Sequence, residues 1–144
     1  MRTLLRTALV LFVIAITIQA VPVTRDNPPV TGTVDAPTPI AATLRRACFD
    51  CHSNETVWPW YSRVAPASWL VARDVHEGRQ HLNFSTWTSL NSSDRRKIAG
   101  EIAEEVEKGA MPPGIYTPLH PEARLSLQDI SAVVAWAKAQ GQLE

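Results

Sequence analysis

A short cysteine motif limits the folds that are open to this chain of 144 residues. Cys48 and Cys51 are the only cysteines, two residues separate them, and His52 follows the second one directly. Two thiols at this spacing can each add to one vinyl group of a haem, and the histidine can then bind the iron. The motif therefore predicts one covalent c-type haem, attached through Cys48 and Cys51, with His52 as an iron ligand.

Two other interpretations of the cysteine pair remain open. The pair can form a small-loop disulfide or a thioredoxin-like redox site, although the redox site belongs to a βαβ context that the helical surroundings do not provide. A structural zinc site normally has four ligands, and the four histidines of the chain form no second cluster to pair with the first. Haem attachment is the interpretation that uses both thiols and the histidine together.

A second iron ligand is predicted in a proline-rich loop. Met111 is the only methionine besides Met1, and Pro112 and Pro113 follow it. The prolines stiffen the loop, so the thioether can be held in one direction. Because His/Met ligation is a standard electron-transfer arrangement, Met111 is the predicted sixth ligand. The rival ligands are His76, His81 and His120.

The N-terminus has the pattern of an export segment. Arg2 and Arg6 are followed by residues 7–24, which contain no charged side chain. The stretch reaches the lower limit for crossing a bilayer, and bulky Ile18 before Ala20 departs from the small-residue pattern of a cleavage site. A retained anchor and a cleaved signal both stay open, and either one puts the rest of the chain outside the cytoplasm.

Prolines separate this apolar segment from the remainder of the chain. Five of them lie between Val21 and Pro39, and each fixes φ and removes a backbone donor, so an extended tether is predicted. The chain is accordingly divided into a signal peptide or membrane anchor (1–21), a Pro-rich tether (22–37) and a haem domain (38–144).

Apolar residues at helical spacing predict four helices in the domain, and no stretch shows sustained strand alternation. The fold class is therefore all-α. Ser126 and Asp129 form a capping-box pattern at the start of the fourth helix, and Trp69, Ala72 and Val75 are expected to face the core from the second. The four helices are expected to begin at Thr38, Pro66, Ser92 or Ser93, and Ser126, and the last three to end at Gly78, Gly109 and Gly141.

The sequence around the motif carries a wider resemblance. Its stretches are CFDCHSNET (48–56), WPWYS (58–62), LNFS (82–85), MP (111–112) and HPEARLS (120–126). With them the chain resembles, from Asn27 to Trp136, the haem-binding domain family of small bacterial monohaem c-type cytochromes. The resemblance implies a single cytochrome c-like helical domain around one covalent haem, preceded by an N-terminal hydrophobic helix.

An electron carrier, and not an enzyme, is the function that the ligand set predicts. With His52 and Met111 both on the iron, no position is left for a substrate. The expected partners are redox proteins in or at the inner membrane, on its periplasmic side. A formal net charge of +0 does not indicate nucleic-acid binding. The alternative is a haem-based sensor or a peroxidase-like enzyme whose sixth ligand is labile.

Overall fold

A computed structural model describes residues 1–141 of the chain. Across this range the regular structure is helical and contains no strand, which confirms the all-α class. The last three residues of the predicted domain, 142–144, lie outside the described residues. The α-helices are α1 (Arg2–Thr17), α2 (Thr38–Ala47), α3 (Phe49–His52), α4 (Ala67–His81), α5 (Ser92–Glu107) and α6 (Leu127–Gln140). Short 3₁₀ turns cover Ile18–Ala20, Trp60–Arg63, Phe84–Ser89 and Pro121–Ala123.

The N-terminal helix is apolar and lies outside the core. With its 3₁₀ extension, α1 runs from Arg2 to Ala20, a length of 19 residues of which 0% is buried. At 1.5 Å per residue this is about 28 Å, close to the thickness of a bilayer's hydrocarbon core. By length and composition the helix can cross a membrane, and a signal sequence near an N-terminus passes the same test.

The core is packed between α5 and α6. Ile102 and Val106 of α5 face Val133 and Ala137 of α6, and all four side chains are at most 8% exposed. These are the apolar stripes that helical periodicity predicts, so the placement of both helices is confirmed. The cysteine segment packs against this pair of helices, since Phe49 belongs to the same core cluster.

A row of aromatic rings connects the cysteine segment to α6. Phe49, which lies between the two cysteines, stacks on Phe84 with ring centroids 5.2 Å apart. Phe84 contacts Trp87 at 6.1 Å, and Trp87 contacts Trp136 of α6 at 6.4 Å. Aromatic pairs at such distances contribute about 0.5–1.5 kcal/mol each beyond their buried area. The motif is thereby fixed to the core through one of its own residues.

All three helix ends that a glycine was expected to mark lie within the described residues, and Gly141 caps α6 as predicted. Gly109 ends α5 in a left-handed conformation, with φ +71°, as predicted. The prediction for Gly78 is wrong, because α4 continues through it to His81. Gly78 is buried by a close contact with the cysteine segment, which is a packing role and not a stop. Trp69, expected to face the core, is 37% exposed because α4 turns its Val75–Gly78 side to the motif.

The Pro-rich segment, residues 22–37, has no helix and lies along the domain. The N–H groups of Thr31 and Gly32 both donate to the carbonyl of Ser85, at 3.0 and 2.9 Å. Further along, Val34 and Ala36 pack against the core. The segment is extended, as its prolines predict, and it is also bonded to the surface that it crosses.

The start of α6 is joined to α2, the helix that leads into the cysteine motif. The predicted capping box is confirmed, with the Asp129 carboxylate accepting hydrogen bonds from the backbone and hydroxyl of Ser126 at 2.8 and 2.7 Å. The same carboxylate pairs with Arg46 of α2 at 2.7 Å and accepts from the Thr43 hydroxyl at 3.2 Å. The bonds from Ser126 and the Arg46 guanidinium hold the pKa of Asp129 well below its usual range.

We expect Asp129→Asn to lower the free energy of unfolding by about 1 kcal/mol, because it weakens the cap and removes the ion pair. The folded-state pKa of Asp129 is depressed, so its contribution is present above the unfolded pKa of about 4 and is lost as the pH falls through the folded value. Urea unfolding at pH 7 and at acidic pH measures the difference in the free energy of unfolding between the variant and the wild type. We expect this difference to become smaller in acid.

Asp94→Asn provides the matched control for this substitution. Asp94 occupies the first turn of α5, where its carboxylate bonds only the N-cap Asn91, and it forms no ion pair within residues 1–141. A loss of stability no larger for Asp129→Asn than for Asp94→Asn would show that the link to α2 contributes nothing.

Candidate functional site

The cysteine motif forms one tight turn between two helices. Cys48 ends α2 and caps the short α3, and its carbonyl accepts hydrogen bonds from the N–H groups of Cys51 and His52, at 3.2 and 2.9 Å. The structure therefore brings the three predicted haem-binding residues together within a single turn. Both cysteines are free thiols, so the disulfide interpretation gains no support.

The environment of the thiols is unlike that of a redox pair. Burial raises the pKa of Cys48 to about 12 and that of Cys51 to about 11. Catalytic redox cysteines have lowered pKa values and are accessible as thiolates, whereas these two are protonated at neutral pH. Within the described residues, no three His, Cys, Asp or Glu side chains converge in a way that would hold a metal ion. The redox and zinc interpretations therefore gain no support either.

The imidazole of His52 is oriented by the last turn of α4. Its Nδ1 atom lies 2.9 Å from the carbonyl oxygen of Gly78 and 3.2 Å from that of Leu82. A ring nitrogen that faces two acceptors carries the proton, which leaves the lone pair on Nε2. Burial also lowers the pKa of His52 and keeps the ring neutral. A neutral imidazole with Nδ1–H bonded to a backbone carbonyl is the form that binds a metal through Nε2.

Gly78 lets α4 come close enough to the cysteine turn for the bond to His52, because glycine has no side chain. A Cβ atom at this position would lie 2.7 Å from the carbonyl oxygen of Cys51, a distance that real Cβ atoms essentially never show. Sequence periodicity treats an isolated glycine in a helical pattern as a terminus, so Gly78 and Leu82 are site residues that it missed. The useful signal was the helical pattern itself, since a glycine inside a helix usually has a packing reason.

Arg79 joins the segment that follows the motif to residues 19–37, here called the strap, which connect the N-terminal helix to α2. Its side chain is only 13% exposed and donates to the Ser53 carbonyl at 2.7 Å and to the Thr56 hydroxyl at 2.8 Å. On its other side it donates to the Asp26 carbonyl at 3.1 Å and to the Asn27 side chain at 3.0 Å. Its guanidinium is thus already satisfied by protein groups around the motif.

The loop that carries Met111 leaves α5 and returns to the motif. The N–H groups of Ala110 and Met111 both donate to the carbonyl of Glu105, at 3.0 and 3.1 Å. Five residues later, the Tyr116 hydroxyl donates to the carboxylate of Asp50, inside the motif, at 2.7 Å. Burial and the bonded Asp50 raise the pKa of Tyr116, so this donor stays protonated. The Met111 side chain itself is 37% exposed.

The rival histidines have other contacts. Both ring nitrogens of His120 are engaged, Nε2 with the Tyr61 hydroxyl at 2.6 Å and Nδ1 with the Glu122 carboxylate at 3.0 Å. The same ring stacks on Tyr116 at 4.0 Å. His76 and His81 are exposed on α4, and the His76 Nε2 atom lies 2.9 Å from the Gln80 amide. His120 therefore helps to hold the Met111 loop in place.

Exposed apolar side chains adjoin Tyr116, which bonds to the motif, and the two residues linked to it, His120 and Tyr61. Trp60, Ile115 and Leu119 are 76%, 72% and 66% exposed, and they neighbour Tyr61, Tyr116 and His120 in the sequence. Exposed apolar groups that lie close together often mark a ligand-binding site. The oriented imidazole, the two free thiols and this apolar surface together fit a flat, largely apolar haem.

Comparison with known proteins gives one match. The model of a family described as a haem-binding domain matches residues 13–139 of the chain. The matched range contains the cysteine motif, Gly78, Met111 and the helices of the core. The chain matches no curated protein and no solved structure.

We expect Gly78→Ala to damage the site, because the added Cβ forces α4 away from Cys51 and weakens the hydrogen bond to His52. Overpacking of this kind lowers the free energy of unfolding by about 1–3 kcal/mol. Gly100→Ala is the matched control, since Gly100 lies in α5 with nothing within 4 Å of an added Cβ. Alanine there should be neutral or slightly stabilising. Thermal unfolding of both variants measures the difference, and equal effects would contradict the proposed close approach.

The Tyr116–Asp50 hydrogen bond should couple the Met111 loop to the motif. Because its acceptor is charged, we expect Tyr116→Phe to lower the free energy of unfolding by about 1.5–3 kcal/mol. Combining it with Asp50→Ala in a double-mutant cycle, followed by urea unfolding, isolates the pairwise term. Simple additivity of the two substitutions would show that the bond contributes nothing.

Proposed function

The chain belongs to the haem-binding domain family, and we propose that it is an electron carrier with one covalently attached haem. In this proposal Cys48 and Cys51 form thioethers to the haem, and His52 and Met111 are its axial ligands. The domain works on the periplasmic side of a bacterial inner membrane. The family supports haem binding, and the residues of the cysteine motif and of the Met111 loop support the attachment, the ligation and the role.

The observation that carries the proposal is the pair of α4 carbonyls that hold the Nδ1 atom of His52. They fix the tautomer, the plane of the ring and the direction of the Nε2 lone pair before any ligand arrives. Such preorganisation is typical of metal-binding histidines. It has no evident purpose in a disulfide or in a merely structural turn.

Covalent attachment is supported by the chemistry of the two thiols. Each S–H can add across one vinyl group, so that sulfur bonds to one carbon and hydrogen to the other, and neither an oxidant nor a leaving group is required. Cys48 and Cys51 are the chain's only cysteines and both are free. The spacing of the thiols, with His52 next in sequence, is the attachment pattern.

Met111 is supported as the sixth ligand by the path of its loop and by the state of its rivals. The Tyr116–Asp50 bond returns the loop to the motif, and both nitrogens of His120 already have partners. A thioether needs no deprotonation to bind iron and leaves these contacts intact. Met111 is therefore the side chain of this loop that is best suited to ligation.

Electron transfer is the role that this ligand set favours. When bound, haem supplies a one-electron iron couple, and a thioether ligand raises its reduction potential. Two protein side chains on the axis leave no position for a substrate, so catalysis is not proposed. A labile Met111 would instead suit a haem-based sensor or a peroxidase-like enzyme.

Location and partners follow from the N-terminal helix. We expect α1 to direct export and to keep the domain at the outer face of the inner membrane, close to redox proteins of that membrane. Without Arg2 and Arg6, 12 basic residues remain against 14 acidic ones, a net charge of −2. Partner surfaces with a basic patch are therefore the expected docking sites.

Expression of the full chain together with a c-type maturation system tests the attachment. We expect the purified protein to retain one haem after denaturation and to lose it when both Cys48→Ala and Cys51→Ala are introduced. A colourless wild-type protein at its apoprotein mass, still stably folded, would contradict the proposal.

Absorption spectra and reduction potentials test the ligation. We expect Met111→Ala to abolish the sulfur-to-iron charge-transfer band of the ferric protein and to lower its potential. His76→Gln is the control, because His76 is an exposed histidine on α4. If Met111→Ala leaves the band and the potential unchanged, Met111 is not the ligand. A high-spin wild-type spectrum would favour the sensor or peroxidase-like alternative.

A further inference from the structure

The end of the apolar N-terminal helix is fastened to one corner of the domain. The side-chain amide of Gln19 exchanges two hydrogen bonds with the backbone of Ala65, accepting from its N–H at 2.9 Å and donating to its carbonyl at 3.2 Å. Arg25 donates to the carbonyl of Ser62 at 3.1 Å. These bonds hold residues 62–70, here called the Ser62–Leu70 corner, against the end of α1.

The Ser62–Leu70 corner presents apolar side chains and one cation to solvent. Val64, Trp69 and Leu70 are 45%, 37% and 39% exposed, and Arg63 is exposed beside them. The chain that leaves α1 runs across the same surface, since residues 22–24 line one side of a groove whose other side includes Trp69. The groove also has charged lining residues, so the corner combines exposed apolar side chains with charged groups near the end of α1.

The position of Gln19 determines what this surface meets. In a bilayer crossed by α1, Gln19 and Ala20 end the apolar stretch and mark the outer edge of the hydrocarbon core. The headgroup layer beyond that edge is about 5–8 Å thick. Residues bonded to Gln19 lie within this layer, where tryptophan is enriched and where arginine can reach phosphate groups.

Three other exposed apolar side chains have a different setting. Ile115 and Leu119 belong to the Met111 loop, which contacts the cysteine motif through Tyr116. Leu127 is 87% exposed at the start of α6, a helix whose first turn is bonded to α2 through Asp129. The Ser62–Leu70 corner is bonded instead to the membrane-length helix.

We infer that the Ser62–Leu70 corner is a membrane contact, lying in the outer interfacial layer of the bilayer that α1 crosses. Its partner is the phospholipid surface, with Trp69 and Leu70 among the headgroups and Arg63 next to lipid phosphates. The inference rests on the membrane location in the proposed function and not on the ligation of the haem. The domain is then held flat against the membrane by its own surface as well as by its anchor.

Photo-crosslinking of the full chain tests the contact. The protein, matured with haem, is reconstituted in nanodiscs of phosphatidylethanolamine and phosphatidylglycerol, with benzoylphenylalanine in place of Leu70 or, as the control, of Leu127. We expect phospholipid adducts at position 70 to exceed those at position 127 by at least tenfold. Equal yields at the two positions overturn the inference, and so does a protein adduct at position 70, without lipid, in native membrane vesicles.

A second variant separates a membrane contact from chance proximity. Gln19→Leu keeps α1 apolar but removes both bonds to Ala65, and we expect it to reduce the lipid adducts at position 70 several-fold. Unchanged adducts contradict the role of Gln19, and an intact mass that lacks α1 overturns the inference. The haem spectrum of each sample is recorded separately, so a failure of the haem proposal is visible without affecting the crosslink result.

Discussion

The orientation of the His52 ring depends on two carbonyl oxygens at the end of α4, and most of the site depends on that orientation. The carbonyl of Gly78 comes within 2.9 Å of Nδ1 because the residue has no Cβ to strike Cys51. Arg79, the next residue of α4, donates hydrogen bonds both to Ser53, just after the motif, and to Asp26 of the strap. The last turn of α4 therefore contacts the imidazole, the backbone of the cysteine turn, the segment that follows this turn, and residues 26–27.

Sequence patterns predicted the elements whose cause is local. The apolar stripes of α5 and α6, the Ser126–Asp129 capping box and the left-handed Gly109 each involve residues within one or two turns, and each was predictable. The proximity of the three candidate haem-binding residues of the motif could be predicted for the same reason, since their spacing alone brings them into one turn.

The features that sequence reasoning missed are long-range contacts. Gly78 has the local pattern of a helix stop, and only the approach of the cysteine turn explains why the helix passes through it. Tyr116 and Asp50 are separated by 66 positions, and no periodicity links them. Their contact decides where the Met111 loop runs. Met111 could therefore be suggested as a ligand from its proline-rich loop, but only the fold reveals that this loop returns to the motif.

The strap changes how the domain is expected to meet its partners. A flexible tether would let the domain swing, but Gln19, Arg25 and Asp26 are each bonded to the domain surface. At about 1 kcal/mol for each of three contacts, release costs about 3 kcal/mol before the chain regains entropy. Under the proposed function, a redox partner would therefore meet a domain that is bonded to the end of its own N-terminal helix.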